Sequence, residues 1–513
     1  MGLALLLLAA CGAPAGRQPP DDSALVRLTD DEVKSLDPQK ASDLTSLRVA
    51  ADQFEGLTRY RGDGSIEPGL ATGWTQSADG LIWRFPLRPG LRFSNGRPID
   101  AGVFQSVFSR LHDPATASPH AGLFRVIAQM EAENAGQVMI RLRHPFPALP
   151  ELLAHPAIAA LPTVRIAAMG DHWTSERPLA TSGPYRLRSW ALHDRIVLER
   201  NPAWHDPPAP APLVEWQPVD DRQAAFRRFR AGEPDLVGDF PSESKGWLDR
   251  ALPGTAQVFP YRGSYYFVFN TRRPPFNDVR VRRALNMAAE REAIATRLLG
   301  VGNQPAWGVV PPGLYRNHMA YHPAWAGWSH ERRIGEARRL LAQAGYSQSQ
   351  PLRFEIRFNS DVDHRRVALA LMDNWRALPV RPSLLNTEAT LHFASMRRGD
   401  FDMARAGWIG DISAPENFLG IFQGNAGAIN YPGFNNARFD MLLDRALARA
   451  RPEERDKAMA RAEAVLMDQA PVLPLYYYVT KNLVGPRVNG WTNNIANVHP
   501  SRTLGLRRGG KRQ

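Results

Sequence analysis

Two hydrophobic periods alternate along this chain, and the alternation confines it to folds that layer helices on sheets. Leu81, Trp83, Phe85 and Leu87 fall on every second residue, as do Leu352, Phe354, Ile356 and Phe358. That is the period of a half-buried strand. Residues 138–142 and 265–269 are further strand segments. Between such runs the period changes to that of a helix. Asp278 ahead of Val281, Ala284, Leu285, Ala288 and Ile294 predicts one capped helix closing at Gly300. Ile334, Ala337, Leu340, Leu341 and Ala344 make an apolar face that ends at Gly345. Asp221 predicts a short helix with Phe226 and Phe229 inward and Gly232 at its end. Phe439, Leu442, Leu443 and Ala446 share another, and Pro452 starts one carrying Ala458, Ala462 and Val465. Pro207, Pro208, Pro210 and Pro212 form a stiff connection after Trp204. A chain of 513 residues exceeds one core, so two or three mixed α/β domains are expected.

The chain has one cysteine, Cys11, directly after Leu8-Ala9-Ala10 at the end of an apolar run from Met1. This is the pattern of a bacterial lipoprotein signal, cut before the cysteine, whose thiol then carries diacylglycerol. The run is too short to span a bilayer, which takes about 20 apolar residues, so it reads as targeting. Residues 1–11 are expected to be the signal and lipidated cysteine, and 12–21 a tether. No free thiol would remain for disulfides or thiolate chemistry. No later stretch approaches about 18 uninterrupted apolar residues, so the lipid is the only membrane attachment expected.

Lys plus Arg number 63 against 51 Asp plus Glu, a net charge of +12. The basic residues are scattered rather than gathered on one run, which argues against nucleic acid. The one dense cluster, Arg507, Arg508, Lys511 and Arg512, reads as a solvated end. His112, His120, His144 and His155 lack metal-ligand spacing. No Gly-x-Ser-x-Gly elbow, His-Glu-x-x-His helix or Gly-rich phosphate loop occurs. Asp411 with Glu416, or Asp361 with Asp363, could form a hydrolase's carboxylate pair, but such spacing is commonplace. No enzyme activity, metal or other cofactor is expected.

A series of segments carries a resemblance. It runs from Ser35-Leu36-Asp37-Pro38-Gln39-Lys40 through Gln53-Phe54-Glu55-Gly56-Leu57 and Pro68-Gly69-Leu70-Ala71. It continues with Thr181-Ser182-Gly183-Pro184-Tyr185 and Leu198-Glu199-Arg200-Asn201-Pro202. It is densest at Pro274-Pro275-Phe276-Asn277-Asp278-Val279-Arg280-Val281-Arg282. It closes with Phe401-Asp402-Met403-Ala404-Arg405-Ala406-Gly407-Trp408 and Pro474-Leu475-Tyr476-Tyr477-Tyr478-Val479. In this order the segments resemble the extracellular solute-binding proteins of family 5, which serve ABC importers of peptides and related solutes.

The resemblance implies an α/β, periplasmic-binding-protein-like, two-lobed clamshell with an extra domain. Its three domains would be mixed sheets flanked by helices. Lobe I would combine residues 22–54, 183–263 and 479–513, domain II would cover 55–182, and lobe III 264–478. It implies a monomer, anchored by its lipid in the periplasm, that captures oligopeptides for an ABC permease with a cytoplasmic ATPase. Nickel, haem and murein peptide are the family's alternative solutes.

The resemblance also implies site residues. Asp411 would pair with the peptide's α-ammonium, the alternative being a turn aspartate that caps the next helix. Arg405 and His364 would meet ligand carboxylate, the alternatives being a surface salt bridge and a solvated histidine. Gly407, Trp408, Ile409 and Leu44 would line or support the pocket, though Leu44 and Ile409 could equally be core. Ala389, Met396 and Ser42 depart from the peptide-binding members, which have tryptophan, arginine and glutamate there.

Overall fold

A computed structural model describes residues 22–316 and 320–507. Cys11, the expected tether, and Arg508, Lys511 and Arg512 lie outside those residues. The fold is organised on two long antiparallel strands, Ala256–Phe269 and Val472–Val484. Their pairing slips between Pro260 and Ser264, and the slip divides an 11-stranded mixed sheet into two halves. On one side Val472–Val484 continues to Leu236–Val237, Ala24–Thr29, Leu213–Pro218, Arg195–Arg200 and Tyr185–Ala191. On the other, Ala256–Phe269 continues to Met403–Ile409, Leu352–Asn359 and Val380–Thr387. A register slip leaves residues unpaired and bends the strand. Here it frees Tyr261 and Arg262 at the boundary between the halves.

A smaller unit grows out of the first half. It is a four-stranded sheet, ordered Thr75–Gln76, Ile82–Pro86, Gln137–Leu142, Ile127–Asn134, packed against the helix Ala101–His112. The chain enters and leaves it at one place. Gly183 N–H donates to the Gln53 carbonyl at 2.8 Å, and Glu55 N–H to Ser182 Oγ at 3.1 Å. A Cβ on Gly183 would sit 2.8 Å from the Gln53 carbonyl carbon, so the crossing requires glycine.

The local elements follow their sequence patterns. Trp83 and Phe85 are buried within Ile82–Pro86, and Leu352, Phe354, Ile356 and Phe358 are buried along Leu352–Asn359. The run 265–269 is apolar throughout because both its faces are covered. Tyr265, Phe267 and Phe269 enter one core, Tyr266 and Val268 another. Asp221 caps Arg222–Arg230 by accepting from Ala224 N–H at 2.6 Å.

One helix departs from expectation. The segment expected to run unbroken to Gly300 stops at Ala288 and resumes as a π-helical stretch, Ala293–Leu299. Arg291 is the cause. Its buried guanidinium turns back and donates to the carbonyls of Asn286 (2.8 Å), Ala289 (3.3 Å) and Ala306 (3.0 Å). A side chain thus satisfies terminal carbonyls that a continuing helix would have used. In Pro452–Gln469 the buried face is Met459, Ala462, Glu463 and Leu466, leaving Ala458 and Val465 half-buried beside it.

Candidate functional site

Two adjoining cavities, of about 310 and 460 Å³, lie where the halves meet. They share a wall that includes Leu44, Arg48, Gly238, Tyr261, Ile409 and Asn497. Leu44 opens the helix Leu44–Gln53, whose N-terminus Asp43 caps by accepting from Ser46 N–H at 2.7 Å. Arg48 follows one turn later, on the same face. From the opposite half, Met403–Ile409 ends at the cavities. Leu44 is 51% exposed and Ile409 47%. Apolar side chains that open, on a cleft, are wall rather than core.

Asp411 lies two residues beyond that strand and lines the larger cavity. Its N–H donates to Asn417 Oδ1 at 3.0 Å, and Arg262 Nη2 donates to its carbonyl at 3.1 Å. The next helix, Glu416–Leu419, carries no side-chain cap, so capping is not the role of Asp411. Among the described residues its carboxylate accepts one hydrogen bond, from Asn417 Nδ2 at 3.4 Å, and enters no ion pair. Water reaches the group, yet the cleft walls crowd it. That desolvation raises its pKa above the ordinary carboxylate value, against the lowering effects of Asn417, Arg262 and His120.

His364 lines the smaller cavity from the helix Val362–Asn374, whose N-terminus Asp361 caps. Burial, and then the charge of Arg405, push its pKa down to about 3 although Asp361 opposes them. The imidazole is therefore neutral and meets a carboxylate only as an N–H donor. Arg405 lies one layer back, neither on the surface nor among the cavity-lining residues. It donates to Tyr478 Oη at 2.8 Å and Asn359 Oδ1 at 3.4 Å, and sits 4.9 Å from the Tyr265 ring centre. Its charge reaches the cavity through Tyr478.

Gly407 makes room for that phenol: a Cβ there would stand 2.6 Å from Tyr478 Oη. Trp408 packs into the core beneath, and its Nε1 donates to Asn417 Oδ1 at 2.9 Å, orienting the amide that holds Asp411. Of the departures, Ser42 lines the larger cavity, Ala389 begins a helix, and Met396 is buried in a core.

Of the four carboxylates considered for catalysis, all but Asp411 are held in ion pairs. Glu416 pairs with Arg455 at 2.8 Å, Asp363 with Arg366 at 3.1 Å, and Asp361 with Arg222. Among the described residues no three His, Cys, Asp or Glu side chains are grouped to hold a metal ion. Nor is any helix among them long and apolar enough to cross a membrane.

Arg48, Tyr261 and Asn497 were not foreseen as cavity residues. Arg48 had a signal, its four-residue spacing from Leu44 on one helix. Tyr261 and Asn497 had none, because a register slip and a distant C-terminal loop place them.

Residues 65–430 match the model of the bacterial extracellular solute-binding proteins, family 5 Middle. The chain is 34% identical over 516 residues to the periplasmic oligopeptide-binding protein OppA of Salmonella typhimurium, covering 96% of this chain and 94% of that protein. Among solved structures, the murein tripeptide binding protein MppA of Escherichia coli matches with a TM-score of 0.84 at 32% identity, over 94% of this chain and 98% of that one. The unliganded open form of MppA gives 0.78 at 31% identity, over 96% and 99%. OppA of Haemophilus influenzae in complex with RPPGFSPFR gives 0.84 at 29%, over 95% and 100%. With its two-lobed α/β architecture and interlobe cavities, the chain belongs to family 5 of the bacterial extracellular solute-binding proteins.

Proposed function

We propose that this protein captures oligopeptides in the periplasm, anchored through a lipid on Cys11, and delivers them unchanged to an ABC permease driven by a cytoplasmic ATPase. One observation carries the peptide reading. Asp411 presents a carboxylate to the interlobe cavity, supported by Asn417 and lacking a cation among the described residues. A peptide's α-ammonium supplies that cation. Opposite charges about 4 Å apart at an effective dielectric near 20 attract by roughly 4 kcal/mol. Desolvation offsets much of this, so the pair selects a free amino group more than it adds affinity. At the other end His364, as a neutral donor, and Arg405, acting through Tyr478, favour the terminal carboxylate. Between the ends, main-chain groups give affinity without demanding particular side chains.

The domain boundaries belong to the same proposal. The chain crosses between units where residues 54 and 183 lie side by side, and again where 260–264 runs beside 477–479. Those crossings support lobe I as 22–54, 183–263 and 479–513, domain II as 55–182 and lobe III as 264–478. Titration calorimetry of ligand-stripped protein against a peptide mixture tests the ligand. Saturable heat with free-amino peptides is expected. Silence with every peptide, but a response to nickel, haem or a sugar, would overturn the assignment.

A further inference from the structure

We infer that Arg48 forms an anion subsite within the cleft, selecting peptides that carry an acidic side chain between their two ends. The inference rests on the peptide reading above and narrows it. Arg48 is half-buried and lines both cavities at their junction, between Asp411 on one side and His364 on the other. Among the described residues its guanidinium makes no hydrogen bond or ion pair.

The other arginines lining the larger cavity are all engaged. Arg59 holds Glu55 at 2.6 Å and Glu67 at 2.9 Å. Arg262 is paired with Glu151, and Arg502 with Glu67 at 3.0 Å. Arg27 donates to the His499 carbonyl at 2.9 Å and to Ser501 Oγ at 2.7 Å. The acids nearby are likewise occupied. Asp52 accepts from Ser501 Oγ at 2.6 Å and Trp216 Nε1 at 3.2 Å, and Asp239 pairs with Arg222 and Lys481.

None of the carboxylates lining the two cavities, Asp52 one turn along the same helix included, is in hydrogen-bond or ion-pair contact with Arg48 among the described residues. Its Nη1 lies 3.6 Å from where a Cβ on Gly238 would be, so that wall is bare backbone. His499, buried and close to Arg27 and Arg48, is held neutral. A partly desolvated cation without a partner is costly until a ligand brings an anion. The planar guanidinium fork fits a carboxylate with two parallel hydrogen bonds. With the amino end at Asp411 and the carboxyl end toward His364, the anion at the junction belongs to a side chain.

The test is calorimetry on the full-length, ligand-stripped protein. The probes are alanine tetrapeptides with glutamate at the first, second or third position, each against its glutamine counterpart. The wild type should prefer glutamate at one of these positions by about tenfold or more. Arg48→Gln should bring glutamate and glutamine within about twofold, and Arg48→Lys should keep part of the preference. Because no protein partner is lost, the unfolding midpoint of Arg48→Gln should match the wild type. Equal binding of both peptides by the wild type, or a preference that survives in Arg48→Gln, overturns the subsite and leaves the peptide reading standing. Absence of binding to every peptide overturns both.

Discussion

Asp411 and Glu463 are both carboxyls with raised pKa values, but one faces the interlobe cavity and the other a core. In the proposed ammonium contact, Asp411 acts in its ionised form. Its raised pKa means that acidification protonates it earlier than an ordinary aspartate, so affinity for free-amino peptides should fall as pH drops, beginning above the usual aspartate range. Asp411→Asn should weaken free-amino peptides by about 10- to 100-fold and N-acetylated ones little; equal losses by calorimetry would refute the ammonium contact. Glu463 is fully buried and accepts from Val309 N–H (2.9 Å), Val310 N–H (3.0 Å) and Tyr315 Oη (2.8 Å). Burial outweighs these hydrogen bonds and lifts its pKa from 4.5 to about 7. The folded state then holds a proton that the unfolded state releases near 4.5. Its stabilising contribution is complete below that point and is lost as pH rises through about 7. Thermal unfolding of Glu463→Gln across this window should show a flatter pH profile than the wild type; an unchanged slope would contradict the assignment.

At the scale of elements, the two long strands both join the halves and shape the cleft. The close packing of these strands and of the neighbouring Met403–Ile409 around Tyr478 depends on glycine. Gly263 would place a Cβ 2.7 Å from Tyr478 Cδ2, and Gly407 would place one 2.6 Å from Tyr478 Oη and 3.0 Å from the Ser264 carbonyl. Gly407→Ala should therefore displace Tyr478 and lower stability by about 1–3 kcal/mol, read as a lower urea midpoint; an unchanged midpoint would show that the phenol yields freely. The identifying segments are legible for a related reason, since many of their polar residues are buried hubs. Asp37 takes Arg110 at 2.6 Å and Trp173 Nε1 at 3.0 Å. Glu55 gathers Arg59, Trp204 and His205, and Asn201 Nδ2 holds the Gly183 carbonyl at 2.9 Å. Caps and alternating strands could be read locally because short-range geometry decides them. The break at Arg291 could not, since it needs a carbonyl fifteen residues away at Ala306. The cleft was half legible: Asp411 and His364 came with the family pattern. Arg48, Tyr261 and Asn497 came from tertiary placement.

Across the whole molecule, the halves touch through contacts made in this closed arrangement. Arg222 from one half pairs with Asp361 of the other, and Ser242 Oγ donates to Asp363 Oδ2 at 3.3 Å. Arg455 Nη1 donates to the Pro145 carbonyl at 2.9 Å, and Arg262 joins Glu151 to the Asp411 loop. The Arg222–Asp361 pair is partly solvated and contributes about 0–1 kcal/mol, so a bridging ligand is needed to hold that side of the cleft closed firmly. Small-angle X-ray scattering of the ligand-stripped protein, with and without saturating peptide, tests this most directly. A smaller radius of gyration on adding peptide is the expected result; an unchanged radius with every bound peptide would contradict closure around the ligand.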